Sequence, residues 1–226
     1  MTDLLLVAAW LAVLVAGLGV CVALHRLGLA TTYVRDLLHV GAGVWVLGWP
    51  LWRTPLVPIA ITTAAMVAIC ALPLVSARLP LAARLQSSIS DEDERWTGIA
   101  LYTVAFAWMT PLGLLRTPFP AAAALLALSL GDGIGGAVGR RFGAHTYRFA
   151  GAKQKSFEGS AAVAVGAALA IVVAARLFGV APGALLVAGT ALVAALAEAL
   201  SPRATDNLFV PAIVWLLLSL GGAPGA

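Results

Sequence analysis

The sequence predicts an all-α fold, a polytopic transmembrane bundle of about eight spans, and three observations carry that prediction. Hydrophobic residues make up 62% of the 226 positions and charged residues only 11%. The mean hydropathy is +0.99, and a soluble domain with that composition would lack a polar exterior. Apolar runs of roughly 20 residues, the length that crosses a bilayer, recur along the whole chain. The charges that remain sit in the short connections between those runs, where they orient a membrane protein.

The elements follow in order. The first run, roughly 4–24, lacks the basic leading region of a signal peptide, and Val20 is a poor neighbour for a lipoprotein cysteine at Cys21. It is expected to remain as a helix. A second span over 37–52 is short and stops at Pro50, and a third covers 55–75. A polar connection then carries Asp91, Glu92, Asp93 and Glu94, which read as a solvated turn. Spans over 98–115, 119–139, 160–178, 182–200 and 208–224 complete the chain. Helix is the expected state of each, because lipid offers no partner to an unsatisfied backbone group. Cys21 and Cys70 lie within apolar runs and read as small buried hydrophobes, not as a disulfide. No soluble domain or repeat interrupts the pattern, so residues 1–226 are expected to form one integral-membrane domain, with a cytoplasmic loop at about 131–160 as the candidate catalytic stretch.

Loop charge sets the orientation. With eight spans, 11 of the 14 Lys and Arg fall on one side and only Arg53, Arg116 and Arg176 on the other. The first side is expected to be cytoplasmic, with both termini on the opposite side. Every acid except Asp3 lies on or near that cytoplasmic face. The pI near 9.6 therefore points to anionic lipid or nucleotide, and no nucleic-acid partner is expected.

The densest polar stretch is 131–160, GDGIGGAVGRRFGAHTYRFAGAKQKSFEGS. Asp132 sits among glycines at the end of an apolar run, and an acid at that depth points to function. Gly131, Gly133 and Gly136 satisfy GxGxxG, but no strand precedes them and no other nucleotide motif follows. Gly131, Gly135, Gly139 and Gly143 also recur every fourth residue, which lets helices approach closely in lipid. Arg140, Arg141, Lys153 and Lys155 could clamp phosphate, and a nucleotide brings Mg²⁺ that needs carboxylate oxygens. GAKQKS lacks the spacing of a Walker A loop. Arg35 and His39, four apart, share a face on a helix. Glu198 ends an apolar run, and Asp206 lies at the same level.

Taken together, Gly131-Asp132, Gly139 and the run KQKSFEGS at 153–160 resemble the signature of the membrane polyprenol kinases. That family includes dolichol, phytol and CTP-dependent diacylglycerol kinases. Arg35 with His39 resembles its RKxxH element, and Glu198 with DNLFVP at 206–211 resembles its E…DNxxVP element. Asp36 departs from the pattern, standing where Lys is common, and Gly135-Gly136 replace a region usually containing Ala.

The resemblance implies a membrane enzyme that phosphorylates a lipid alcohol with CTP as donor and Mg²⁺ or another divalent cation. On this reading Asp132, Lys155, Glu158 and His39 are catalytic, and the base is left open between Asp132 and His39. Arg140, Lys153, Lys155, Ser156 and Arg35 bind the nucleotide. Asp132, Glu158 and Asp206 hold the metal, while Gly131, Gly139, Gly159, Glu198 and Asn207 support them. Two other readings compete: a phosphatidate cytidylyltransferase, and a transporter with an ion path through Asp132, Glu158 and Glu198.

Overall fold

A computed structural model describes residues 2–76, 78–79, 96–149, 152 and 154–221. Lys153, the acids Asp91 to Glu94 and the end of the last expected span lie outside the described residues. Among the described residues, eight helices fall on the eight apolar segments: α1 (Asp3–Arg26), α2 (Thr31–Leu47), α3 (Leu56–Ser76), α4 (Thr97–Leu115), α5 (Pro118–Phe142), α6 (Phe157–Phe178), α7 (Ala184–Leu200) and α8 (Asp206–Leu220). Five of them, α1, α3, α4, α5 and α6, are long and apolar enough to cross a membrane. The other three have 17, 17 and 15 residues, so length and composition support five of the eight expected crossings. The chain is a multi-pass membrane protein.

The second helix lies further back than its apolar run suggested. It begins at Thr31 and takes in Arg35 and Asp36, then gives way at Gly48 to a 3₁₀ turn, Trp49–Leu51, that contains Pro50. Asp36 is tolerated in this helix because it pairs with Arg140 of α5.

At the centre stands α5. Of its apolar window 67% is buried, against 11% for α1 and α3, whose side chains are left to face lipid. Phe119 to Leu128 are almost wholly enclosed by α2, α4, α6 and α8. The middle of α5, Ala127–Asp132, is a π-helical turn, a widened form that often occurs at functional sites. It ends on Asp132.

Against this helix α6 packs backbone to backbone. A Cβ on Gly166 would come within 2.9 Å of Gly131 Cα, and one on Gly135 within 2.3 Å of Val163 Cγ2 and 3.1 Å of the Gly159 carbonyl oxygen. The four-residue glycine period is thus a helix-packing seam in which van der Waals contact replaces the hydrophobic drive that lipid removes.

A two-stranded antiparallel hairpin, β1 (Thr146–Tyr147) and β2 (Lys155–Ser156), joins α5 to α6. Ser156 ends it and caps α6 by accepting a hydrogen bond from Gly159 N at 3.1 Å.

Candidate active site

Three carboxylates from three helices converge beside this hairpin. Asp132 ends the π turn of α5, Glu198 lies in the last turn of α7, and Asp206 opens α8. One ligand oxygen from each lies within 4.8 Å of the others. Glu198 is only 5% exposed, and a carboxylate so enclosed needs a compensating charge. Lys155 of β2 provides it: the ammonium pairs with Glu198 and stands 4.0 Å from Asp206 Oδ2. Burial opposes that charge, yet the neighbouring Glu198, Asp132 and Asp206 hold the lysine above its ordinary value.

The hairpin register sets where Lys155 stands. Tyr147 pairs with Lys155 across the strands, and a bridge from Ala152 to Pro202 ties the hairpin to the α7–α8 connection. Asn207 fixes the start of α8 by donating from Nδ2 to the Gly98 carbonyl oxygen at 3.0 Å. Asp206 Oδ1 accepts from Asn207 N at 3.0 Å, leaving its other oxygen toward Lys155.

On the other side of Asp132 is His39, with Nε2 at 3.3 Å from Asp132 Oδ2. Arg35 lies close enough for its charge to act on both His39 and Arg140. The Arg140 guanidinium pairs with Asp36 and sits 5.1 Å from the centre of the Tyr33 ring. Asp36, the departure from the family pattern, thus holds a cation brought from α5.

The structure therefore brings together Asp132, Asp206, Lys155 and His39, all expected at the site, and adds Glu198 as an equal member. Glu158 stands apart from the carboxylate group. Its position, two residues past the end of β2, turns it to the hairpin, where it accepts from His145 N at 3.2 Å and meets His145 Nδ1 at 2.7 Å. Ser156 serves as the α6 cap, and Gly131, Gly139 and Gly159 form the seam between α5 and α6.

The donor set suits a hard divalent cation. Three carboxylates face a single ammonium, so negative charge is in excess, and oxygen ligands are what Mg²⁺ takes.

Compared with known proteins, the chain is 32% identical over 196 residues to a phytol kinase of Synechocystis sp. (strain ATCC 27184 / PCC 6803 / Kazusa), covering 83% of this chain and 79% of that protein. The chain belongs to the polyprenol/phytol kinase family. No family model matches it, and no solved structure does. Within this polyprenol/phytol kinase family member, the elements that carried the resemblance are parts of one place. The GD pair supplies Asp132, the KQKSFEGS run supplies Lys155, the RxxxH element supplies His39, and E…DN supplies Glu198 and Asp206.

Three residues of this region carried no signal in the sequence. His145 is a lone histidine in a basic loop, Ser129 is a single hydroxyl inside an apolar run, and Tyr102 stands beside Thr103 in another.

Proposed function

We propose that this protein is a lipid-alcohol kinase that transfers the γ-phosphoryl group of a nucleoside triphosphate, CTP by family resemblance, to a phytol-like alcohol, a polyprenol or diacylglycerol. The observation that carries the reading is the meeting of Asp132, Glu198 and Asp206, from three apolar helices, with Lys155. A hydroxyl on a lipid chain can reach that level from the bilayer, and a nucleotide can reach it from water. The kinase identity of the similar protein favours phosphoryl transfer over the other chemistries open to such a site.

In the reaction the bond between the γ-phosphorus and the bridging oxygen breaks, a new bond forms to the lipid oxygen, and the nucleoside diphosphate leaves. Phosphoryl transfer depends mainly on positioning and charge neutralisation. Asp132, Glu198 and Asp206 would hold a divalent cation, which when bound would supply positive charge to the phosphate oxygens. Lys155, anchored by Glu198, presents a fixed ammonium to the same oxygens. On this reading His39 takes the proton from the lipid hydroxyl, and Asp132, 3.3 Å from Nε2, stabilises the imidazolium that results. Arg35 of α2 and Arg140 of α5 would bind the nucleotide phosphates, and Lys153 belongs to the same basic run as Arg140.

Purified protein in nanodiscs, given CTP labelled at the γ position with a pool of phytol, polyprenol and diacylglycerol, is expected to yield labelled lipid. Label that enters lipid only from α-labelled CTP, and only with phosphatidate present, would overturn the kinase in favour of a cytidylyltransferase.

The same reading places the carboxylate cluster at the cytoplasmic face with both termini opposite, as the 11-to-3 charge split favours. In a background lacking Cys21 and Cys70, an impermeant thiol reagent added to intact cells is expected to label Pro118→Cys and to spare His145→Cys. The reverse pattern would invert the orientation.

A further inference from the structure

Tyr102 belongs to none of the motifs, yet it joins the two elements that face each other at Asp132. It lies on α4 and is 8% exposed. Its hydroxyl is 2.8 Å from the backbone carbonyl oxygen of His39 and 2.7 Å from Ser129 Oγ. A carbonyl can only accept, so the one phenolic proton goes to His39, and the Ser129 hydroxyl donates to the phenol oxygen. The Tyr102 ring also lies against the His39 imidazole, with centroids 4.0 Å apart at 49°. Phe106 backs it from the next turn at 4.9 Å.

Ser129 stands three residues before Asp132 in the same π turn. Its Cβ seats so closely on Gly43 of α2 that a Cβ there would come within 2.8 Å. One side chain of α4 thus grips α2 at His39 and α5 at the turn that presents Asp132. A phenylalanine would fill the same space without burying a hydroxyl. An enclosed hydroxyl is costly unless bonded, and this one is bonded twice, on both sides of the 3.3 Å gap between His39 Nε2 and Asp132 Oδ2.

We infer that Tyr102 is a positioning residue for the His39–Asp132 pair, its hydroxyl fixing the imidazole at the distance from the carboxylate that proton transfer requires. The inference rests on the kinase reading for its effect on turnover, and on geometry alone for its effect on His39. The groups that face the imidazole are Asp132 from α5, Tyr102 from α4 and Arg35 from its own helix.

The test uses the full chain in nanodiscs with His25→Gln and His145→Gln, which leaves His39 as the one histidine of three. Nitrogen-labelled imidazole then reports its tautomer and the chemical shifts of both ring nitrogens in the neutral form. Tyr102→Phe is expected to lower kcat by about tenfold or more with nucleotide KM nearly unchanged, and to move the ring-nitrogen shifts of neutral His39 beyond the spread among parent preparations. Ser129→Ala keeps the Cβ on Gly43 and removes only the second hydrogen bond. It is expected to move both readouts the same way by less, and it carries the test if Tyr102→Phe does not fold.

Tyr147→Phe removes a hydroxyl pair with Ser160, 2.5 Å apart, in the hairpin, and is expected to leave the His39 spectrum as in the parent. Unmoved ring-nitrogen shifts of His39 in both Tyr102→Phe and Ser129→Ala overturn the inference, whatever happens to kcat. So does an equal movement in Tyr147→Phe, and so do moved shifts in an active enzyme whose kcat is unchanged. If the parent phosphorylates no lipid alcohol, the kinase reading falls by itself, and the His39 ring-nitrogen shifts still decide the role of Tyr102.

Discussion

Replacing Asp132 by Asn is expected to lower turnover by two orders of magnitude or more, about 3 kcal/mol in the barrier. Asn keeps the volume at the end of the π turn and removes the charge that serves both sides of the site. On one side it takes an oxygen from the group formed with Glu198 and Asp206, and on the other it removes the partner of His39. The glycine seam between α5 and α6 is untouched, so the protein should fold and extract from the membrane as the parent does. The check is kcat with γ-labelled nucleotide beside a thermal melt in the same detergent. Near-normal turnover in a folded Asp132→Asn protein would remove this residue from the chemistry.

Glu198→Gln and Glu158→Gln are expected to part company, although both change a glutamate near the hairpin. Glu198 shares the carboxylate cluster and anchors the Lys155 ammonium. Its neutralisation should raise the Mg²⁺ concentration needed for half-maximal activity by about tenfold or more, and kcat should fall as Lys155 loses its fixed place. Glu158 bonds His145 instead. Its amide should shift the Mg²⁺ dependence by no more than about twofold, inside the range that a surface pair of this kind is worth. A Mg²⁺ titration of each variant at saturating nucleotide reads the difference. If Glu158→Gln weakens the metal dependence while Glu198→Gln leaves it alone, the cation belongs at the hairpin.

That contrast marks how far the sequence could be read. Apolar run length located the eight described helices, because in lipid the length of the run and the need to satisfy the backbone leave little choice. The start of α2 escaped it, since Arg35 and Asp36 look like a polar boundary until Arg140 arrives from α5 to pair with Asp36. The site residues were legible as types and as family elements. What linear order conceals is which acids meet. Asp132 and Glu198 are 66 positions apart, and only the packing of α7 and α8 on α5 and α6 brings Glu198 inward. Glu158 is nearer to Lys155 along the chain, yet a two-residue strand and a helix cap turn it toward His145. Tyr102 was beyond reach for another reason: one hydroxyl in an apolar helix looks the same whether it anchors a neighbour or merely fills space.

The seam between α5 and α6 has a mechanical consequence. Where Gly131 meets Gly166, and Gly135 meets Gly159 and Val163, the backbones themselves are in contact. There is no layer of side chains to change rotamer and absorb a displacement. Sliding or rolling one helix on the other drives main chain into main chain, so this pair moves as one piece. Asp132 rides on that rigid block. Glu198, Asp206 and Lys155 reach it from parts joined by short connections, a two-strand hairpin and a 3₁₀ turn. Asp132 is thereby the fixed member of the group, held by main chain, while the other three are held by the connections that carry them.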